Sequence, residues 1–201
     1  LAPCIQEAID NACDHCKLGY IPEPGKQRVA AACAGWQRSH YGWDVDPSII
    51  RVVPDVLEAY ELFLRELVGA GNSVIVPTPA YMPFLSVPKL YDVDVIEIEM
   101  LQSGDAETGE AQWVFDFDSI ERAFAAGCHA FVLCNPHNPI GKVLTLEEEL
   151  RLSDLAAQYD VRIFNDEIHA PFVFEGKHIP FPTISEQAAL QSMTATSASK
   201  S

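Results

Sequence analysis

The sequence has few basic side chains and no apolar run long enough to cross a bilayer. Lys and Arg total 13 against 29 Asp and Glu, so the formal net charge of the 201 residues is −16. Binding to nucleic acid or to an anionic membrane through bulk charge needs a positive field, and this composition argues against both partners. The longest apolar runs, such as residues 73–76 and 130–134, are strand-sized, whereas a bilayer requires roughly 20 residues.

Several other sequence features are also missing. No G-x-G-x-x-G follows a strand-like run, which excludes the common dinucleotide-binding fingerprint. We find no internal repeat, no low-complexity tract and no visible signal peptide. Apolar residues make up 48% of the chain and charged residues 21%, which is ordinary for a folded globular chain and excludes wholesale disorder. The length fits one large domain or two small ones.

The six cysteines are scattered, and only one pair has a motif spacing. Cys13 and Cys16 form a C-x-x-C, which could be half of a zinc site or a redox pair. No second C-x-x-C or spaced histidine pair follows, and the segment is typical of a helix. We therefore favour reduced thiols, with no metal site, in a cytoplasmic protein.

Strand-like and helix-like segments alternate along the chain. The strand candidates are short and rich in β-branched residues, and they are residues 73–77, 94–98, 130–134, 161–165 and 193–196. The helix candidates have apolar residues three and four apart, and they are residues 54–68, 117–126 and 145–159. Thr145 and Glu148 form a capping box at the start of the last helix. The polar residues 102–112 are expected to form an exposed loop.

This alternation predicts an α/β fold with a mostly parallel sheet that is covered on both faces. Ligands of such sheets bind at the carboxyl ends of the strands. Residues 135–141 follow one predicted strand and read Asn-Pro-His-Asn-Pro-Ile-Gly, and His137 within them is expected only to pack the loop. Residues 166–169 follow the next strand and read Asp-Glu-Ile-His. Residues 196–201 follow the last and read Thr-Ser-Ala-Ser-Lys-Ser. Each segment alone could be a plain turn.

Taken together, the three segments resemble fold-type I pyridoxal 5'-phosphate (PLP) enzymes. Within that group they are similar to the MalY/PatB-type cystathionine β-lyases (C–S lyases) of the class I/II aminotransferases. Gly19-Tyr20, residues 36–43 with Pro47, and residues 79–84 are also similar to this branch, so the resemblance spans essentially the whole chain. It implies an N-terminal helical segment over residues 1–46, leading into a three-layer α/β/α PLP-binding large domain over residues 47–201.

The resemblance implies a role for each strand-end residue. Lys200 would bond covalently to the cofactor and then act as the base that moves the substrate Cα proton. Asp166 would pair with the pyridine nitrogen and keep it protonated. Asn138 would donate a hydrogen bond to the 3′ oxygen of the ring, and Tyr81 would stack on the ring face. His169 would either tune the 3′ oxygen or support neighbouring residues without touching the cofactor.

The phosphate group would be held by hydrogen-bond donors rather than by bulk charge. The amides of Asp55 and Val56 open a predicted helix and could bind an anion, provided that the Asp55 carboxylate points away. The resemblance adds the Ser197 hydroxyl. It also adds Tyr20, which would reach the phosphate of the neighbouring subunit and make a homodimer necessary.

Two reactions of a small amino-acid substrate fit these residues. The favoured one is β-elimination from a sulfur-containing amino acid, which yields pyruvate, ammonia and a thiol. The alternative is transamination to a 2-oxo acid, and a non-catalytic regulator that reuses the fold is a third possibility. The small C-terminal domain of fold-type I enzymes, with its carboxylate-binding arginine, does not follow Lys200. The 201 residues are therefore expected to be a piece of a subunit, neither stable nor active alone.

Overall fold

The protein was analysed as a computed structural model, which describes residues 2–15, 19–104 and 112–200. The chain divides into two compact units, residues 1–52 and residues 53–201. The domain boundary that the resemblance places after residue 46 stays a prediction. No helix in the described ranges is both long enough and apolar enough to cross a membrane.

The first unit is helical. Helices α1 (Pro3–Asp14) and α2 (Glu23–Tyr41) account for most of it, and a short 3-10 turn follows at Pro47–Ile49. Helix α2 ends at Gly42, whose φ of 74° requires the left-handed conformation that glycine adopts at little cost. Cys13 is exposed in α1, and Cys16, its predicted C-x-x-C partner, lies outside the described residues.

The second unit is built on a five-stranded sheet in which every pair of neighbours is parallel. Each strand matches a predicted strand to within one residue at each end. The sheet therefore confirms the predicted α/β class and its mostly parallel strands. The strands of this sheet, in its spatial order, are β2 (Asp94–Glu99), β1 (Ser73–Thr78), β5 (Ala130–Cys134), β6 (Arg162–Asp166) and β7 (Ser192–Ala195).

The loop predicted over residues 102–112 is wrong at its ends. Strands β3 (Leu101–Ser103) and β4 (Gln112–Val114) pair there as an antiparallel ribbon. The physical reason lies next to the polar segment, because Trp113 packs against the apolar core and anchors β4. The residues between Gly104 and Gln112 lie outside the described ranges.

Among the described residues, five further α-helices cover the sheet: α3 (Val56–Phe63), α4 (Met82–Ser86), α5 (Phe117–Ala125), α6 (Leu146–Gln158) and α7 (Glu186–Gln191). The helix predicted over residues 54–68 is α-helical only over α3, and its last part is a π-helical turn at Leu64–Val68. Asp55 caps α3, so the first helical residue is Val56 rather than Pro54. The predicted capping box of α6 is confirmed, since the Glu148 amide donates to the Thr145 hydroxyl over 3.2 Å.

Alternate residues of the central strands belong to two separate apolar cores, one on each face of the sheet. Phe131 and Leu133 of β5 face the core made with α5 and α6, whereas Val132 faces the core made with α3. A strand that is apolar on both sides is the expected sequence of a sheet covered on both faces. The helix–sheet–helix layering is that of the predicted three-layer domain.

Phe164 of β6 lies at the centre of the second core. Its ring centroid is 4.9 Å from that of Tyr60 and 5.6 Å from that of Phe63, and the side chain is fully buried. This packing holds the strand whose last residue is Asp166.

Replacing Phe164 by Ala should lower the free energy of unfolding by about 3–5 kcal/mol, because a large aromatic ring leaves a cavity that the sheet cannot close. Phe174→Ala is the matched control. That ring is 91% exposed, so the change should stay within about 0.5 kcal/mol. Denaturant unfolding of the two variants measures the difference, and equal effects would contradict the packing described.

Candidate active site

Four strand ends meet at the carboxyl edge of the sheet. Strands β1, β5, β6 and β7 are neighbours and parallel, so the segments that follow them lie side by side. Cys134 pairs in register with Asp166, and Asp166 pairs with Ala195. The residues predicted for the site on these segments are Tyr81 after β1, Asn138 after β5, Asp166 and His169 at and after β6, and Ser197 and Lys200 after β7.

Asp166 ends β6 with its side chain almost completely buried. The residue is 4% exposed, and its Oδ1 accepts a hydrogen bond from the Ile168 amide over 3.0 Å. Burial raises the pKa of the carboxyl group to about 6, and the nearby charge of Glu167 adds to the rise, while the Ile168 hydrogen bond opposes it. A carboxyl group in this state is stabilised in its ionised form by a cationic or N–H partner.

The loop of residues 135–141 is fixed by hydrogen bonds at both ends. The Asn135 amide donates to the Asp166 carbonyl over 3.0 Å, and the His137 amide donates to the Lys142 carbonyl over 2.7 Å. Gly141, at a φ of 71°, donates back to the His137 carbonyl. The loop therefore carries Asn138 in a closed turn that is bonded directly to the end of β6.

His137 links this loop to the segment that carries Tyr81. Its Nε2 lies 2.9 Å from the Pro79 carbonyl, and because a carbonyl only accepts, Nε2 carries the proton. Burial lowers the pKa of the imidazole, which favours this neutral form. The sequence assigned His137 only loop packing. A histidine between two prolines at a buried strand end was the available signal.

Lys200 closes a 3-10 turn at Ala198–Lys200 beyond β7. Ser197, before this turn, accepts a hydrogen bond from the Ser199 amide over 3.1 Å and donates to the Ser199 hydroxyl. The half-buried His169 lies near the turn. Its pKa is lowered first by burial and then by the charge of Lys200, while a hydrogen bond to the Pro136 backbone acts in the opposite direction. His169 thus lies between the lysine turn and the loop that carries Asn138.

The structure also shows the surroundings of Tyr81 and of the remaining predicted residues, Asp55, Val56 and Tyr20. Tyr81 precedes α4 and is partly exposed, with its ring edge-on to Phe84 at 5.6 Å. Asp55 caps α3, and its Oδ1 accepts from the Glu58 amide over 2.9 Å, so the carboxylate is turned onto its own helix. Val56 is the first residue of that helix. Tyr20 lies in the first unit with its side chain fully exposed. The ligand roles of all of these residues stay predictions.

One residue behind the site was missed at the sequence level. Glu149 is fully buried in α6, and its Oε1 accepts from the Asn135 side chain over 2.6 Å. Glu149, Leu152 and Ala156 lie three and seven positions apart and are all buried, so Glu149 is on the core face of the helix. That spacing could have identified it. Within the described ranges, no group of His, Cys, Asp and Glu side chains could hold a metal ion.

Comparison with known proteins places these features in a family. The family model described as "Aminotransferase class I and II" matches residues 3–201. A cystathionine β-lyase of Corynebacterium glutamicum is 36% identical over 98% of the chain and 50% of its own length. Cystathionine β-lyase PatB of Bacillus subtilis is 31% identical over 98% and 49%. Crystalline cystalysin from Treponema denticola, which contains PLP, superposes with a TM-score of 0.87 at 28% identity, covering 98% of this chain and 49% of its own.

These relatives confirm the resemblance to the C–S lyase branch that the sequence motifs indicate. The chain spans about half the length of the curated relatives it matches.

Without cofactor, Asp166 should make the stability of the protein depend on pH. Its pKa is about 6 when folded against an ordinary 3.8, so the folded state binds the proton more tightly and stability falls as pH rises from about 4 to about 6. Asp166→Asn should remove this decline, a difference on the order of 3 kcal/mol at neutral pH. Unfolding free energies of both proteins measured across this range provide the test. Parallel curves would contradict the assigned shift.

Proposed function

Because the chain belongs to the aminotransferase class I and II family, we propose that the protein is a PLP-dependent C–S β-lyase. It would cleave a sulfur-containing amino acid of the cystathionine type into pyruvate, ammonia and a thiol. The names of the relatives support this substrate class. The observation that carries the proposal is the buried carboxylate of Asp166 at the carboxyl end of a central parallel strand.

The buried carboxylate fits PLP on physical grounds. An ionised acid that is 4% exposed and has a raised pKa lacks the solvation that would stabilise its charge. The protonated pyridine nitrogen of PLP is a planar cation with one N–H donor, and it would supply that stabilisation. In return, Asp166 would keep the nitrogen protonated.

PLP, when bound, supplies an electron-withdrawing ring that stabilises the negative charge left on the substrate Cα. Lys200 would hold the cofactor through Nζ and afterwards accept the Cα proton. Asn138 would donate to the 3′ oxygen, with His169 beside it, and Tyr81 would cover the ring. The phosphate would be bound by the Ser197 hydroxyl and by the α3 amides of Asp55 and Val56.

The same residues could carry out transamination, so the fate of the proton on Lys200 separates the two reactions. In elimination, a thiol leaves from Cβ and water hydrolyses the remaining three-carbon fragment to pyruvate and ammonia, so no 2-oxo acid is needed. In transamination, Lys200 would deliver the proton to the cofactor, water would release the substrate as a 2-oxo acid, and a different 2-oxo acid would have to accept the amino group. A non-catalytic protein would do neither.

We expect the full-length protein to release pyruvate and a thiol from cystathionine without an added 2-oxo acid. Lys200→Ala should abolish this release, because the base and the covalent anchor are both lost. Lys89→Ala, which removes an exposed lysine from the turn that precedes the amino end of β2, should leave it unchanged. The measurement is the amount of pyruvate and thiol formed, with and without an added 2-oxo acid.

Three results would count against the lyase. Turnover that requires a 2-oxo acid would establish the transaminase instead. Activity retained in Lys200→Ala would rule out the covalent anchor. Absence of any turnover by protein that carries bound PLP would favour the regulator.

We further propose that the protein is a cytoplasmic homodimer. Free thiols at Cys4, Cys13, Cys33, Cys128 and Cys134 support a reducing compartment. The full exposure of Tyr20 leaves its hydroxyl available to another subunit.

Hybrid dimers test whether Tyr20 completes the site of the other subunit. Mixing Lys200→Ala subunits with Tyr20→Phe subunits should restore activity, because each hybrid then contains one site with Lys200 from one chain and Tyr20 from the other. If Tyr20 acts within its own subunit, every site in the hybrid lacks one group, and activity should stay at the level of the separate variants. Activity after subunit exchange distinguishes the two arrangements.

A further inference from the structure

Behind the candidate active site lies a group of polar side chains that the proposed chemistry does not use. It consists of side chains that are each at most 2% exposed, and we call it the buried polar group: Asn135, Glu149, Asn165, Glu167 and His178. Polar side chains this deeply buried are costly unless they are hydrogen-bonded, so their contacts indicate what they hold in place.

The contacts of Asn135 join three parts of the fold. Its side-chain Nδ2 donates to Glu149 Oε1 over 2.6 Å, and its Oδ1 accepts from the Leu144 amide over 3.1 Å. Its backbone amide donates to the Asp166 carbonyl. Asn135 therefore connects helix α6, the end of its own loop and the end of β6.

Glu149 is the only side chain shown to accept from the Asn135 amide group among the described residues. The other carboxyl oxygen of Glu149, Oε2, has no hydrogen-bond partner among the described residues. Glu149 is therefore linked to the loop through Oε1 alone. Helix α6 is itself fixed by its capping box and by Leu152 in the core. Glu149 thus fixes the loop that carries His137 and Asn138 to helix α6.

Glu167, the residue directly after β6, is a second buried carboxyl group with its own set of hydrogen-bond partners. Its Oε1 accepts from the Asn165 side chain over 2.7 Å and from the Phe181 amide over 2.9 Å, and its Oε2 lies 3.3 Å from His178 Nε2. Asn165 also donates to the Thr194 hydroxyl of β7. These contacts account for Glu167 without reference to the loop of residues 135–141.

The protonation state of Glu149 determines which substituted side chain is the best mimic of this residue. Burial raises its pKa to about 8, the charges of Glu167 and Glu148 add to the rise, and the Asn135 hydrogen bond opposes it. At neutral pH the side chain is then mostly uncharged. Glutamine, which keeps an oxygen acceptor on the same stem, is its close mimic, whereas methionine has similar volume and no acceptor.

We propose that Glu149 is a positioning residue for the cofactor site, which through its hydrogen bond to Asn135 fixes the loop that carries Asn138 at the end of β6, where Asp166 lies. This inference rests on the proposed function, since it assumes that Asn138 and Asp166 meet PLP. Glu149 touches neither substrate nor cofactor. Loss of its acceptor leaves the buried Asn135 amide group unpaired, and the loop must shift to find a new partner.

The experiment uses full-length protein loaded with PLP and compares Glu149→Met with Glu149→Gln. Glu147→Met, two residues away and on the exposed side of α6, is the matched control. We expect Glu149→Met to weaken PLP binding about tenfold or more, the scale of one unpaired buried donor. It should also shift the pH midpoint of the cofactor absorbance band, because the donor to the 3′ oxygen moves. Glu149→Gln and Glu147→Met should retain both properties.

The outcomes separate this inference from the function on which it rests. A wild-type protein that binds no PLP defeats the proposed function itself. Normal PLP affinity and an unchanged pH midpoint in Glu149→Met overturn the positioning role, even if the melting temperature falls. Failure of Glu149→Gln to rescue also overturns it. If Glu149→Met does not fold, Asn135→Ala breaks the same link from the loop side, and the same two readouts decide.

Discussion

The structure depends on a single constraint, the burial of an ionisable carboxyl group at the end of a central strand. Asp166 ends β6, whose Phe164 packs in the aromatic core with Tyr60 and Phe63, and the main-chain carbonyl of Asp166 accepts a hydrogen bond from the Asn135 amide. Burial alone would favour the neutral acid, as its raised pKa shows. A fold that retains an acid in this position gains from a cationic partner, and the neighbouring strand ends carry Asn138, Ser197 and Lys200, which we propose as further contacts of the cofactor.

Parallel topology explains why residues so distant in sequence meet. Crossover connections bring β1, β5, β6 and β7 side by side, and each contributes one short segment to the same edge. Hydrogen bonds then join these segments across the edge. Asn135 bonds the β5 loop to β6, and His137 bonds the same loop to Pro79 beyond β1. The loop with two Asn-Pro pairs is therefore the central connector, and helix α6 supports it from behind through Glu149.

Much of this arrangement could be predicted from the sequence, because it depends on local patterns. Short β-branched runs predicted the five strands of the parallel sheet, and the capping box of Thr145 and Glu148 predicted where α6 begins. The antiparallel ribbon at residues 101–103 and 112–114 could not be predicted, since its pairing depends on Trp113 reaching the core. Glu149 was missed because it stands in a run of three glutamates that is ordinary for a first helical turn, although its spacing to Leu152 and Ala156 places it on the core face of the helix.

The ionisation of Asp166 with and without cofactor tests the central claim most directly. Carboxyl-carbon NMR of the full-length protein, with the signal assigned by loss in Asp166→Asn, reports this pKa in both states. We predict titration near pH 6 in the cofactor-free protein, in line with its buried position, and a clearly lower pKa once PLP is bound, because the pyridinium stabilises the charged form. A pKa that is unchanged or higher with PLP bound would contradict the account.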